Sequence, residues 1–330
     1  MPEERTRRFG NYVLTRLLGH GAMGQVFLAQ DEVNHRPVAV KVLSAGLAAN
    51  GDYTSAFLTE ARLASQINHP SIVSVYDYGR EGGNFYLAME YVDGPSCKAL
   101  IAERGRFGWR EAMGIAAHVA EGLQAAARQG IIHRDIKPEN ILLDSSGRAR
   151  ITDLGLAKEV DAITPLPSDT SLGTPDYMSP EQVSNSETVD FRSDIYSLGA
   201  TLFHMVCGKA PYTGRSAYEV MVKHVSAPLP SPLKYVPDLP REVCDVMRKM
   251  MANSPQDRYQ SYDELIADLQ ALLAGQPVSA TAFADESMLS PNGSSQNGAR
   301  QGRSKKLILV AAVAVPVLAA IVLVYLLATK

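Results

Sequence analysis

The feature of this sequence that most constrains its fold is the octapeptide His133–Asn140, which reads His-Arg-Asp-Ile-Lys-Pro-Glu-Asn. An acid, a lysine and an amide lie within six residues, and Asp153 follows thirteen residues beyond Asn140. This spacing suits a loop between short strands that gathers polar groups around a phosphate and its metal. A charged surface loop is the alternative for one octapeptide, so the interpretation depends on motifs elsewhere in the chain.

The polar side chains of this segment suit distinct chemical tasks. Asp135 can accept a proton from an attacking hydroxyl. Lys137 can neutralise charge on the group being transferred. Asn140 and Asp153 offer hard oxygens of the kind that Mg²⁺ takes. Together they predict a site for metal-dependent phosphate chemistry.

A glycine-rich run lies near the N-terminus, where the strand-like segment Phe9–Leu18 leads into Gly-His-Gly-Ala-Met-Gly at 19–24. A second strand-like segment begins at Val26, whereas a dinucleotide-binding turn would open a helix. We therefore predict a glycine-rich hairpin, because glycine lets the backbone approach phosphates closely and adopt turns that side chains block.

Two charged residues follow on predicted regular elements. Alternation in the next strand places Ala39 and Lys41 on the same face. The segment 53–68 has helical periodicity, and Glu60 lies beside its apolar stripe. Taken singly, Lys41 could be a solvated surface lysine and Glu60 could pair with Arg62 or water.

In this order the motifs resemble those of bacterial eukaryotic-type (Hanks-type) Ser/Thr protein kinases that are anchored to a membrane, and the resemblance covers Phe9–Leu273. It implies an α+β, two-lobed protein kinase fold, with a mostly β N-lobe at 9–92 and a mostly α C-lobe at 93–273. It also implies transfer of the γ-phosphoryl group of ATP to Ser and Thr hydroxyls of proteins, with Mg²⁺ or Mn²⁺ as the metal.

The resemblance assigns roles to individual residues. The catalytic group comprises Asp135, Lys137, Lys41 and Glu60, where Lys41 holds the α- and β-phosphates and pairs with Glu60. The metal ligands are Asn140 and Asp153. The expected ATP contacts come from the glycine-rich loop, the adjoining strands, the hinge and the floor of the pocket: Leu18, Gly19, His20, Gly21, Ala22, Met23, Gly24, Val26, Ala39, Lys41, Met89, Glu90, Val92 and Leu142.

The segment from Asp153 to Glu181 resembles the family's activation loop, with Leu154 in place of the usual Phe. Within it, Thr170 and Ser171 are the predicted phosphorylation sites, and autophosphorylation between two copies in trans is the expected route. The resemblance gives structural roles to a further group. Arg134 is the partner of that phosphate, and Thr174 lies beside the catalytic acid Asp135. Asp194 caps the catalytic loop, which is the octapeptide His133–Asn140, and Glu181 forms a buried ion pair with Arg258.

The C-terminal part changes character. The segment 274–306 is poor in large apolar side chains and reads as a disordered juxtamembrane linker. Leu307–Leu327 is a run of uncharged, mostly apolar residues long enough for a transmembrane helix, although a buried helix of a soluble domain is the alternative. Basic residues precede this run, so we expect a C-terminal tail anchor in the inner (plasma) membrane with the kinase domain cytoplasmic.

Composition excludes other classes. The formal net charge is −3, so no bulk attraction to nucleic acid is expected. The three cysteines are far apart and odd in number, which argues against a disulfide framework or a zinc site.

Two alternatives to an active kinase stay open. One is a pseudokinase, against which the intact set of catalytic residues argues. The other is a membrane-anchored docking module, which would not explain that set.

Overall fold

The structure is a computed structural model, and it describes residues 8–21, 24–154, 175–184 and 189–280. Within these ranges the strands are β1 (Arg8–Phe9), β2 (Tyr12–Gly21), β3 (Gly24–Asp31), β4 (Arg36–Leu43), β5 (Val75–Glu81), β6 (Asn84–Glu90), β7 (Ile141–Leu143) and β8 (Ala149–Ile151). The helices are α1 (Ala45–Ala48), α2 (Gly51–Ala64), α3 (Cys97–Arg104), α4 (Trp109–Ala127), α5 (Pro180–Ser184), α6 (Phe191–Cys207), α7 (Ala217–Ser226), α8 (Arg241–Met250) and α9 (Tyr262–Leu273).

The N-terminal lobe is one antiparallel sheet in the order β1-β2-β3-β4-β6-β5. Alternation along β4 places Val38 and Val40 in an apolar cluster on one face, and Ala39 on the other. Lys41 shares the face of Ala39 and is only 4% exposed. The predicted strand and its alternation are therefore confirmed, and they turn a charged side chain toward the space between the lobes.

Helix α2 packs on this sheet through Tyr53, Phe57 and Ala61. It begins after Asn50, whose side chain accepts a hydrogen bond from the Tyr53 amide at 3.0 Å. The helix ends at Ala64, earlier than the predicted end at residue 68, and the chain continues through short turns toward the His-Pro pair at 69–70. The pattern thus located the helix, but not its ends.

The C-terminal lobe is mostly helical and is organised around α6, nearly all of whose residues are buried. Such all-round burial is typical of a central core helix. Asp190 caps its start, and Gly208, with φ +73°, ends it in the left-handed conformation. The short hairpin β7–β8 follows the octapeptide directly, as the spacing of the motifs predicted.

The packed chain extends past α9, although composition predicted a linker from residue 274. Asp268 accepts hydrogen bonds from the Ser279 amide and hydroxyl, both at 2.8 Å, and from the Ala280 amide at 3.1 Å. Val278 and Ala280 are buried. The rest of the predicted linker and the predicted span Leu307–Leu327 lie outside the described residues, and within those residues no helix is both long and apolar enough to span a bilayer.

Candidate active site

The octapeptide is held in place by Asp194, at the start of α6. Its carboxylate accepts hydrogen bonds from the amides of His133 at 2.8 Å and Arg134 at 2.7 Å. Arg134 has φ +67°, a left-handed conformation that costs energy in a residue other than glycine. Burial raises the pKa of Asp194, although both amide hydrogen bonds favour its charged form. This contact is the one that the resemblance implies for Asp194, and it fixes the backbone that leads into Asp135.

Asp135 has two neighbours that fix its carboxylate. Lys137 Nζ lies 2.7 Å from Oδ2 and 2.9 Å from Oδ1. Asn140 Nδ2 donates to the main-chain oxygen of Asp135 at 2.8 Å and to Oδ2 at 3.0 Å. The acid is therefore held in one orientation and stays partly exposed toward the space between the lobes.

Asp153 meets Lys41 across the cleft, with Lys41 Nζ 2.7 Å from Oδ1. Burial alone raises the pKa of Asp153, but the charge and hydrogen bond of Lys41 outweigh it and hold this pKa below its ordinary value. Asp153 has φ +62°, and His133 Nε2 is hydrogen bonded to the preceding Thr152 carbonyl at 2.9 Å. His133 of the octapeptide thus holds the residue directly before Asp153, the second predicted metal ligand.

Glu60 lies on α2 and is half-buried. Lys41 contacts Asp153 at 2.7 Å. The Lys41–Glu60 ion pair stays a prediction. Both partners lie on elements that border the same cleft.

Five of the predicted ATP contacts form one apolar cluster. Ala39, Met89 and Val92 are buried together, and Val26 and Leu142 pack against them. Val73 also belongs to this cluster and was missed by the sequence analysis. It lies between elements, and its position is set by a hydrogen bond from its amide to the Ile151 carbonyl at 2.8 Å, a tertiary contact that no local pattern shows.

Glu90 turns its side chain away from this cluster. Its carboxylate lies 2.5 Å from Arg150 and accepts a hydrogen bond from the Ser74 amide at 3.3 Å. Only the main chain of Glu90 is therefore available to a nucleotide at this position.

The glycine-rich segment is a hairpin, as predicted. Gly19 pairs with Val26, and Gly21 with Gly24, in continuation of the β2–β3 ladder. At Gly24 the φ is +144°, and an added Cβ would lie 2.0 Å from the Val42 carbonyl oxygen, so only glycine fits. Leu18 and His20 are exposed on β2, whereas Ala22 and Met23 lie outside the described residues.

Comparison with known proteins agrees with this geometry. The protein kinase domain family matches residues 12–268, which is most of the chain. The chain belongs to the protein kinase family.

Bacterial Ser/Thr kinases are among the relatives of this kinase. The chain is 36% identical over 261 residues to Serine/threonine-protein kinase PrkC of Bacillus subtilis. This match covers 79% of this chain and 40% of PrkC. The chain is 38% identical over 271 residues to Serine/threonine-protein kinase PknA of Mycobacterium tuberculosis. This match covers 81% of this chain and 62% of PknA. The kinase thus spans about two fifths of the length of PrkC.

A solved structure shows the same fold. The crystal structure of the Mycobacterium tuberculosis PknI kinase domain superposes with a TM-score of 0.66 at 30% identity, and the match covers 80% of this kinase and 97% of that domain. The two-lobed α+β architecture predicted from the motifs is therefore confirmed.

The predicted Glu181–Arg258 ion pair of the kinase is present and buried. Arg258 Nη1 and Nη2 lie 2.6 and 2.8 Å from the two carboxylate oxygens. The three remaining guanidinium hydrogens are donated to main-chain carbonyls of Arg192, Ala252 and Asn253. All five donors of Arg258 are thus satisfied, which a buried guanidinium requires.

The sequence analysis missed three contacts near the C-terminal end of the predicted activation loop, two of Gln182 and one of Tyr177. Gln182 Nε2 donates to the Arg134 carbonyl at 2.8 Å, and Gln182 Oε1 accepts from the Ser179 amide at 3.0 Å. The Ser-x-x-Gln spacing of a capping box could have indicated the second contact. Tyr177 and His204 are joined at 2.6 Å, a pairing between distant segments that no sequence pattern reveals.

The predicted phosphorylation sites Thr170 and Ser171, and the structural residue Thr174, lie outside the described residues. Their roles stay predictions.

Proposed function

We propose that this protein is an ATP-dependent Ser/Thr protein kinase. The observation that carries the proposal is the joint placement of Asp135, fixed by Lys137 and Asn140, and of Asp153, whose carboxylate contacts Lys41 from across the cleft. In this arrangement a proton acceptor, two lysine side chains and two side chains with oxygen atoms for a metal border one space.

In the proposed reaction, the hydroxyl oxygen of a protein Ser or Thr attacks the γ-phosphorus of ATP. The bond between that phosphorus and the β,γ-bridging oxygen breaks, ADP leaves, and the hydroxyl proton passes to Asp135. Lys137 lies beside the acid and offsets the charge that develops on the transferred group. Lys41 holds the phosphates of the nucleotide.

The donor set fits a magnesium ion. The amide nitrogen of Asn140 is engaged with Asp135, which leaves its Oδ1 as the atom for a cation, and Asp153 contributes carboxylate oxygens. Bound there with ATP, Mg²⁺ would neutralise phosphate charge, and sharing phosphate oxygens with one or two protein ligands is its usual mode.

Phosphoamino-acid analysis tests the proposal. The whole chain, incubated with γ-labelled ATP, Mg²⁺ and a generic protein such as casein, is expected to give labelled phosphoserine or phosphothreonine and no phosphotyrosine. Label that is absent with the wild type, or unchanged with Asp135→Asn, would favour a pseudokinase or a docking module instead.

We further propose that the kinase is anchored to the inner membrane through Leu307–Leu327, with its catalytic part in the cytoplasm. The apolar run and the basic residues before it support this topology. Deletion of 307–330 is expected to move the protein from the membrane fraction to the supernatant with its activity retained. A truncated protein that still sediments with membranes contradicts the anchor.

Anchoring would concentrate copies of the kinase in a thin layer, which favours phosphorylation of one copy by another. We propose that Thr170 or Ser171 receives this phosphate and that Arg134 binds it. Mass spectrometry of the purified wild type and of Asp135→Asn tests this, because only the wild type should carry the phosphate.

A further inference from the structure

Lys98 lies at the rim of the catalytic site, on the first turn of α3. Its Nζ is 3.2 Å from Oε1 of Glu139, which belongs to the octapeptide between Lys137 and Asn140. The start of α3 is fixed by Ser96, which caps the helix through the Ala99 amide at 3.2 Å and bridges to Leu142 on β7. The position of Lys98 relative to the catalytic loop is therefore set by the fold.

The hydrogen-bonding capacity of the Glu139 carboxylate is only partly used. Its Oε2 is buried and has no hydrogen-bond partner within the described ranges. Lys98 provides the opposite charge for this carboxylate, although its own side chain is 48% exposed and can meet an incoming peptide. A carboxylate in this place would attract basic substrates, and the lysine offsets that attraction.

A second carboxylate lies in the field of the same lysine. Asp176 lies in the short helical turn Pro175–Tyr177 and is half-buried. Burial raises the pKa of Asp176, Lys98 lowers it, and Glu139 raises it. Lys98 therefore acts electrostatically on both Glu139 and Asp176.

The sequence of the chain's own candidate acceptor segment has the matching charge. No Lys or Arg occurs between Lys158 and Arg192, and Asp169 directly precedes Thr170. A kinase that modifies such a segment must accept acidic residues beside the acceptor hydroxyl.

We propose that Lys98 is a specificity-determining residue, which offsets Glu139 and so makes the kinase favour uncharged or acidic residues over basic ones beside the acceptor. This inference rests on the proposed Ser/Thr kinase activity. It assigns the substrate class as Ser- or Thr-containing segments without flanking basic residues.

The test compares peptides with a central Thr and with Arg, Ala or Glu at each of the three positions on either side. The readout is the ratio of kcat/KM for the Arg peptide to that for the Ala peptide, measured for the whole chain. In the wild type we expect a ratio of one or less. Because one partly exposed charge is removed, Lys98→Met is expected to raise the ratio roughly two- to fivefold at one or more positions.

Matched variants separate the charge of Lys98 from other effects. Lys98→Arg should keep the wild-type ratio, and the double variant Lys98→Met with Glu139→Gln should return to it. Arg104→Met is the control, because Arg104 forms a similarly exposed ion pair with Glu111 at the other end of the same helix. It should leave the ratio unchanged.

The outcomes are distinct. A wild type that prefers Arg peptides, or a folded Lys98→Met protein with the wild-type ratio, overturns the role of Lys98 and leaves the kinase assignment intact. Failure of the wild type to phosphorylate any peptide or protein overturns the kinase assignment itself, together with the inference that rests on it.

Discussion

Two residues of the candidate site have an unusual backbone conformation. Arg134 and Asp153 both have positive φ, and each is held there by tertiary contacts of the catalytic loop rather than by local preference. Such strain persists only where the surroundings fix it, and it commonly marks functional positions. Here it directs Asp135 and Asp153 into one cleft.

At this scale we predict that Lys41→Met lowers phosphoryl transfer by about 10²–10³-fold and leaves the protein folded. The lysine contributes charge to the phosphates, whereas the methionine retains most of its apolar stem. Initial rates with labelled ATP and circular dichroism of the same samples measure the two effects. The exposed Lys234→Met serves as control, and near-normal rates in folded Lys41→Met would disprove the assigned role.

Helices are positioned by close packing as well as by their pattern of apolar residues. Gly199 on α6 meets α8 so closely that an added Cβ would lie 2.8 Å from Met250 Cβ and 2.8 Å from Met251 Cγ. Real Cβ atoms do not approach so near, so the two helices can keep this distance only with glycine. The same helix α6 carries Asp194, so this packing also supports the catalytic loop.

We therefore predict that Gly199→Ala destabilises the protein by roughly 1–3 kcal/mol through overpacking. Gly114→Ala on α4 is the matched control, because among the described residues no atom outside the adjoining backbone of α4 lies within 4 Å of its added Cβ. That variant should be neutral or slightly stabilising, since alanine favours helix. Urea unfolding followed by circular dichroism measures both, and equal midpoints for the two variants would contradict the packing argument.

The motifs made the catalytic site predictable because each one combines residue types that phosphate chemistry requires at fixed spacing. Sequence reasoning missed Val73, the Gln182–Arg134 contact and the Tyr177–His204 pair because long-range contacts alone place them. It also began the linker too early, since the polar composition after 274 gives no sign that Ser279 hydrogen bonds to the buried Asp268. Local composition cannot show where a segment finds partners.

At the scale of the whole molecule, two buried histidines connect folding to pH. His204 contacts Tyr177, and His224 contacts Tyr196 at 2.9 Å. Burial lowers the pKa of each histidine to about 4. Both imidazoles are therefore neutral in the folded protein, whereas those of the unfolded chain take up protons near their ordinary pKa.

Because the unfolded state binds more protons, the free energy of unfolding should fall as pH decreases from about 6.5 toward 4. It should be insensitive to these two groups above that window. Urea unfolding at intervals between pH 7.5 and 4.5 measures the slope. His224→Gln is expected to reduce it and the exposed His35→Asn to leave it unchanged, so an equal slope in all three proteins would contradict this origin.

The most direct test of the central claim compares the wild type with Asp135→Asn at saturating Mg²⁺ and ATP. We propose Asp135 for proton transfer and not for nucleotide binding, so kcat for phosphoryl transfer should fall about 10²–10⁴-fold. The Kd of a fluorescent ATP analogue should stay within about twofold of the wild-type value. Equal kcat in the two folded proteins, or no transfer by the wild type, would contradict the account.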